Sequence, residues 1–143
     1  MLRRIIIAAA VVVLEGCAGA SSTTSAKHVV VPASQLPDTS RQPAWLPSEA
    51  HIASCESAIG RALASRKRDL GSYYLRLAGV IRDGRRHIVG IAADKRVAGA
   101  CYIQPSSQET IVLPTFGGGE AFFSFDYDTD REKLVKLDFN APL

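Results

Sequence analysis

The sequence predicts an α+β fold: one N-terminal helix packed on an antiparallel meander sheet of about five to six strands, preceded by a signal peptide and a disordered tether. Three observations predict it. Between Glu49 and Lys67 apolar residues recur at spacings of three and four, the period of a helix with one buried face. Two apolar runs flank Arg82-Asp83-Gly84-Arg85, a hairpin signal. Two further alternating runs, Ala121 to Tyr127 and Lys133 to Phe139, lie on either side of a charged loop.

The chain opens with MLRRIIIAAAVVVLEGC, residues 1–17. Arg3 and Arg4 precede ten apolar residues, Ile5 to Leu14, and small residues follow. That is the layout of a secretory signal peptide, placed at residues 1–16. At 1.5 Å per residue the run gives roughly 15 Å of helix, about half of a ~30 Å hydrocarbon core, so it is too short to span. Residues 18–47 are rich in Ala, Ser, Thr and Pro, with prolines at 32, 37, 43 and 47. Such a composition buries too little apolar surface to offset its ordering entropy, so residues 17–47 read as a flexible tether. Within it, His28-Val29-Val30-Val31 offers a short edge strand. Trp45, the only tryptophan, reads as packing on the first helix or as an exposed anchor for a partner.

Ser48 is a good N-cap, and Glu49 lies in the first turn, where the helix dipole favours an anion. Ile52, Cys55, Ile59, Ala62 and Leu63 form the apolar stripe of a helix over 49–67. Arg66-Lys67-Arg68 closes it, with Gly71 as the breaker. Tyr73 to Arg82 reads as a strand, Asp83-Gly84 as a type I′ turn, and Arg86 to Ala93 as the return strand. Val97 to Gln104 and Glu109 to Leu113 read as a third and a fourth strand. Ala121 to Tyr127 and Lys133 to Phe139 complete the meander. One domain is expected over 48–143, with a loose likeness to cystatin-like or NTF2-like folds.

There are three cysteines, Cys17, Cys55 and Cys101, and the odd one in an exported chain needs an explanation. Cys17 sits at the processing site, which leaves Cys55 and Cys101 as a pair in an oxidising compartment. A bridge between them closes a loop of about 46 residues, stabilising by on the order of 4 kcal/mol in the chain-entropy model. Two buried free thiols are the other reading.

The chain carries 17 basic and 14 acidic residues, formally +3, which is not a nucleic-acid-binding balance. The charge is polarised along the sequence. Residues 61–96 hold ten basic and three acidic residues; residues 97–143 hold three and seven. Arg66, Lys67, Arg68, Arg82, Arg85 and Arg86 are a candidate basic patch for an anionic envelope component; the other reading is solvated faces.

Leu14-Glu15-Gly16-Cys17 resembles the lipobox of bacterial lipoproteins, with Glu15 as a departure where a small or neutral residue is usual. The resemblance covers the first seventeen residues only. It implies that Cys17 becomes the first residue of the mature chain and carries acyl chains. Gly19 in place of the inner-membrane retention aspartate implies the periplasmic face of the outer membrane. Ala18-Gly19-Ala20 keeps a second route open, ordinary cleavage before Ser21 to give a soluble periplasmic or secreted protein. Residues 118–141, GGEAFFSFDYDTDREKLVKLDFNA, are similar to the tails of small uncharacterised bacterial exported proteins, which implies a shared fold and no activity.

Chemical motifs are sparse. Asp126-x-Asp128-x-Asp130 opens like a calcium loop, but Arg131 and Leu137 stand where glycine and glutamate are needed, so a solvated hairpin on an exposed edge is expected and no metal. Gly117-Gly118-Gly119 lacks the Lys-Ser/Thr of a P-loop. His51 and His87 read as surface positions, and neither a G-x-S-x-G nor an H-E-x-x-H motif is present. No catalytic residue and no cofactor is expected. The leading class is a non-catalytic envelope lipoprotein, anchored in the membrane through Cys17, whose disulfide-bridged domain binds a protein or glycan partner. Two alternatives are an inhibitor or immunity-type protein, marked by a protruding loop at 114–120, and a small hydrolase with a cleft between helix and sheet.

Overall fold

The computed structural model of the chain describes residues 27–98 and 118–140. In chain order the elements are β1 (Lys27–Val30), β2 (Ala44–Trp45), α1 (Glu49–Ala64), β3 (Tyr73–Arg82), β4 (Arg85–Asp94), the short helix α2 (Lys95–Ala98), β5 (Phe122–Asp128) and β6 (Lys133–Phe139). The six strands form one sheet in the order β1-β3-β4-β5-β6, with β2 also beside β3. Every pairing is antiparallel except β1 with β3, which is parallel. The fold is therefore α+β, one main helix on a mostly antiparallel sheet.

Local chemistry explains each end of α1. The Ser48 side chain accepts from the His51 N–H, and His51 Nδ1 accepts from the Ser48 N–H at 3.3 Å. This is a capping box in which histidine replaces the usual Glu or Gln. The helix stops at Ala64, earlier than the spacing predicts, and the breaker is Lys67, not Gly71. Lys67 takes φ +58°. Its N–H bonds Ala64 O at 2.9 Å and the Arg68 N–H bonds Leu63 O at 3.0 Å, the crossed pair of a Schellman closure. The hairpin matches its sequence signal: Asp83 and Gly84 both take positive φ, 49° and 74°.

One face of the sheet packs on α1. Ile52, Cys55, Ile59 and Leu63 from the helix meet Leu75, Leu77, Ile88, Phe123 and Tyr127 from the strands in one buried cluster. Trp45 packs at its margin, with its ring edge-on to His51 at 5.2 Å. Its indole N–H donates to both Val80 O and His87 O at 3.1 Å. That is the packing role on the first helix, not the exposed anchor. Gly79 makes the approach possible, because a Cβ there would lie 2.3 Å from Trp45 O.

The opposite face has its own cover, and this corrects the tether. Residues 27–47 belong to the domain, which does not start at Ser48. β1 runs along the first half of β3, the chain leaves that edge and crosses the sheet, and β2 returns beside Gly79 and Val80. The crossing segment, here called the strap, includes a 3-10 turn at Ala33–Gln35. Val31, Ala33 and Leu36 pack on Ala78, Val80 and Val89 in a second buried cluster. The Thr39 hydroxyl ties the strap to itself through Ala33 O and Leu36 O. A proline-rich stretch orders here because three apolar side chains find a sheet face that nothing else covers. Residues 17–26 of the expected tether lie outside the described residues.

The third expected strand is also corrected at its start, since Lys95–Ala98 is helical. The rest of that strand and the fourth, Glu109 to Leu113, lie outside the described residues. β4 instead pairs directly with β5, from His87 opposite Asp128 to Ala93 opposite Phe122. Among the described residues Cys55 has no disulfide partner; it is fully buried, and burial pushes the pKa of its thiol up. Cys101, its expected bridge partner, lies outside the described residues.

Because Leu36 is 5 % exposed in the strap cluster, Leu36→Ala is expected to destabilise the domain by about 2–5 kcal/mol in urea unfolding. A change near zero would mean that the strap adds nothing to the fold.

Candidate functional site

The sheet has two ends. Call proximal the end where β1 and β3 begin and β4 finishes, and distal the end that holds the β3–β4 and β5–β6 turns. With β3 ten residues long, the two ends lie roughly 30 Å apart at ~3.3 Å per residue. This separation divides the candidate basic patch. Arg66, Lys67 and Arg68 precede β3 and sit at the proximal end, where Arg68 reaches the Tyr73 hydroxyl at 3.4 Å. Arg82, Arg85 and Arg86 flank the hairpin turn and sit at the distal end. The six residues do not form one patch.

At the distal end the arginines are matched by carboxylates. Arg82 pairs with Asp126 and Arg86 with Asp130, while Arg85 and Arg131 approach Asp128 at 3.9 and 3.8 Å. Asp126 and Asp128 alternate on the strap face of β5, an inner strand, so they are buried rather than on an exposed edge. Asp128 is 1 % exposed and accepts the N–H groups of Asp130 and Arg131 at 3.0 and 2.9 Å, which closes the β5–β6 turn. His87 is buried too, contrary to its expected surface position: its Nδ1 lies 2.6 Å from Asp126 and its Nε2 3.9 Å from Asp128. Arg82 Nε donates to Gln42 at 2.8 Å, so the network also pins the returning end of the strap. Asp130 is held below the usual carboxylate range by hydrogen bonds from the backbone and side chain of Arg86.

Beside this network a cleft of about 220 Å³ opens between strap and sheet, lined by Leu36, Thr39, Arg82, Ile91, Asp126 and Lys136. It lies on the face away from the helix, whereas a cleft between helix and sheet was the feature expected of a hydrolase. Its volume is below the ~300 Å³ at which pockets begin to enclose a drug-sized ligand.

The proximal end is different. Arg66, Lys67 and Arg96 are exposed, with Arg68 half-buried beside them. They line one open depression together with Asp69, Ser72, Tyr73 and Asp94. Arg68 pairs with Glu120. Arg96 grips Asp94 with two side-chain bonds, at 3.0 and 2.6 Å, and its own N–H adds a third at 2.8 Å. These bonds hold the Asp94 carboxyl below its ordinary range against the opposing push of burial. Lys95 lies over the Tyr74 ring and donates to Gly71 O. Arg66 stacks on Phe139, its guanidinium carbon 4.9 Å from the ring centroid. Among the described residues no carboxylate lies within ion-pair distance of Lys27, Arg66, Lys67 or Lys95.

Cys17 lies outside the described residues, as does 114–117 of the expected protruding loop; its last residues form a 3-10 turn at Gly119–Ala121. His28, assigned to the tether, sits on β1 and bonds Glu56 of α1 at 2.8 Å. Glu56 and Gln42 carry no sequence signal of their own, and His87 and Asp126, expected at the surface, are buried. The available signal was the near-continuous apolar run Ile88 to Ala93, since a strand apolar on both sides implies a cover on both faces. No protein family, curated protein or solved structure matches this chain.

Two tests follow from this geometry. Asp126→Ala strips the buried partner from Arg82 and His87 and is expected to cost about 3–5 kcal/mol in urea unfolding; an unchanged midpoint would mean the network is not formed. Asp94 stays ionised to lower pH in the folded chain than in the unfolded one. The stability it contributes is fully present above about pH 4 and is lost as pH falls through the lower folded value. The gap in stability between wild type and Asp94→Asn is therefore expected to shrink between pH 5 and pH 2, and a constant gap would overturn this.

Proposed function

We propose that this chain is a non-catalytic cell-envelope lipoprotein. Lipidated Cys17 anchors it, and the α+β domain is presented to the periplasm to bind a protein or glycan partner. The observation that carries the reading is Leu14-Glu15-Gly16-Cys17 directly after an apolar run too short to span a bilayer. The first described strand begins at Lys27, ten residues beyond that cysteine, which leaves a short spacer between an acylated Cys17 and the domain. More than one acyl chain gives stable anchoring, at roughly 0.8 kcal/mol per buried CH₂.

A binding role is supported by how the reactive groups are used. His51 caps α1, His28 bonds Glu56, and His87 has a carboxylate facing each ring nitrogen. The Cys55 thiol is sealed in the core. Among the described residues each of these groups has a structural task, and the Ser48 hydroxyl beside His51 serves the helix cap.

Intact mass and detergent partition, measured on the wild type beside Cys17→Ala, test the anchor. A mass carrying acyl chains and a detergent-phase protein, both lost in the variant, are expected. A soluble product beginning at Ser21 in both would overturn the reading and make a diffusible inhibitor the better one.

A further inference from the structure

We infer that the proximal end of the domain is a membrane-docking surface that seats against the anionic phospholipid headgroups of the bilayer holding Cys17. The inference rests on the lipid-anchored reading and adds to it an orientation and a lipid chemistry.

The topology fixes which end is tethered. β1 is parallel to β3, and Lys27 is in register with Tyr74. The chain therefore enters the domain at the end where β3 starts. Arg66, Lys67 and Arg68 lie at that same end, just before β3, and Lys95 and Arg96 follow β4, whose Asp94 pairs with Tyr73. These residues are far apart in sequence and meet only because the α1–β3 turn, the end of β4 and the start of β1 share one edge of the molecule.

Reach and charge agree. From Cys17 to Lys27 is ten residues, which at full extension cover at most about 35 Å. The proximal end is thus held within about 35 Å of the lipid surface, whereas the distal end lies roughly 30 Å along the strands from the point of attachment. Among the described residues the proximal end gathers Lys27, Arg66, Lys67, Arg68, Lys95 and Arg96 against Asp69, Asp94, Glu120 and Asp138, the last of which pairs with Lys136. At the distal end each of Arg82, Arg85, Arg86 and Arg131 already has an aspartate within 4 Å. Among the described residues the larger basic excess, with Lys27, Arg66, Lys67 and Lys95 outside ion-pair distance of any carboxylate, therefore sits at the end where the chain enters the domain.

Phosphodiester headgroups suit this surface better than a compact ligand does. The depression is open, and its cations sit on separate segments instead of converging on one atom, as a field of headgroups requires. The attraction per cation is small, but the tether makes docking intramolecular and raises the effective concentration of surface.

The test uses the mature-length chain, residues 18–143, which contains every described element and no lipidation site. It is floated with vesicles of phosphatidylcholine alone or of phosphatidylcholine with phosphatidylglycerol, at 20 mM and 500 mM salt. Binding to the phosphatidylglycerol vesicles at low salt is expected, with loss at high salt. Arg66→Gln with Lys67→Gln is expected to weaken it by on the order of 25-fold, about fivefold per cation. Arg85→Gln with Arg131→Gln at the distal end is expected to leave it within about twofold. Both pairs are checked for unchanged thermal unfolding, and the salt dependence of the wild type reads the same surface without substitution.

No binding to phosphatidylglycerol vesicles, equal binding to both vesicle types, or a larger loss from the distal pair would each overturn the inference. So would binding to a purified envelope glycan with none to vesicles. Failure of this test in a protein whose mass shows acyl chains rejects docking and leaves the anchor standing. Binding here by a protein that is never acylated rejects the anchor alone.

Discussion

The β3–β4 hairpin is covered on both faces, and the two covers are made in different ways. On one side α1 presses a regular stripe of Ile52, Cys55, Ile59 and Leu63 onto Leu75, Leu77 and Ile88. On the other, a short irregular strap places Val31, Ala33 and Leu36 on Ala78, Val80 and Val89. Removing either cover would leave the two longest strands with one apolar face in water, at roughly 1.5–3 kcal/mol for each large side chain exposed. The strap has no helix or long strand to hold it in place. It is fixed by β1 and β2 at its ends, by the Thr39 hydroxyl, and by Gln35 and Gln42 bonding Arg76 and Arg82.

The parts legible in the sequence are those governed by near neighbours. The stripe and cap of α1, the Asp83-Gly84 turn and the alternation of β5 and β6 are local patterns, and the structure reproduces them within a few residues. The strap was illegible by composition, because proline, serine and threonine argue for a tether unless a vacant apolar face is available elsewhere. That face was written into Ile88 to Ala93, 50 residues downstream of the segment that covers it. The basic patch was misread for the converse reason. Arg68 and Arg82 are close in sequence, but a fully extended strand runs between them and carries them to opposite ends of the sheet. His87 alternates like a surface residue, and only the arrival of β5 beside β4 brings Asp126 to its ring.

The charges are partitioned accordingly. At the distal end Arg82, Arg85, Arg86 and Arg131 are matched by aspartates that also close a turn and hold a histidine, so these ions serve the fold. At the proximal end Asp94 and Glu120 engage Arg96 and Arg68, while Arg66, Lys67, Lys95 and Lys27 remain as surface charge. A formal sum over the whole chain conceals this division among the described residues.

The parallel pairing of β1 with β3 also orders assembly in time. Lys27 meets Tyr74 across 47 positions of sequence, the widest gap between paired strands in the sheet. A chain delivered amino end first presents β1 and the strap well before their partner strand exists. The helix and the β3–β4 hairpin close through shorter loops, and loop-closure entropy favours them earlier. Folding is thus expected to complete the helix face first and to cover Ala78, Val80 and Val89 last, an order that hydrogen-exchange labelling during refolding would read directly. Residues 27–36 emerge ahead of every other described residue and are among the last to find their places.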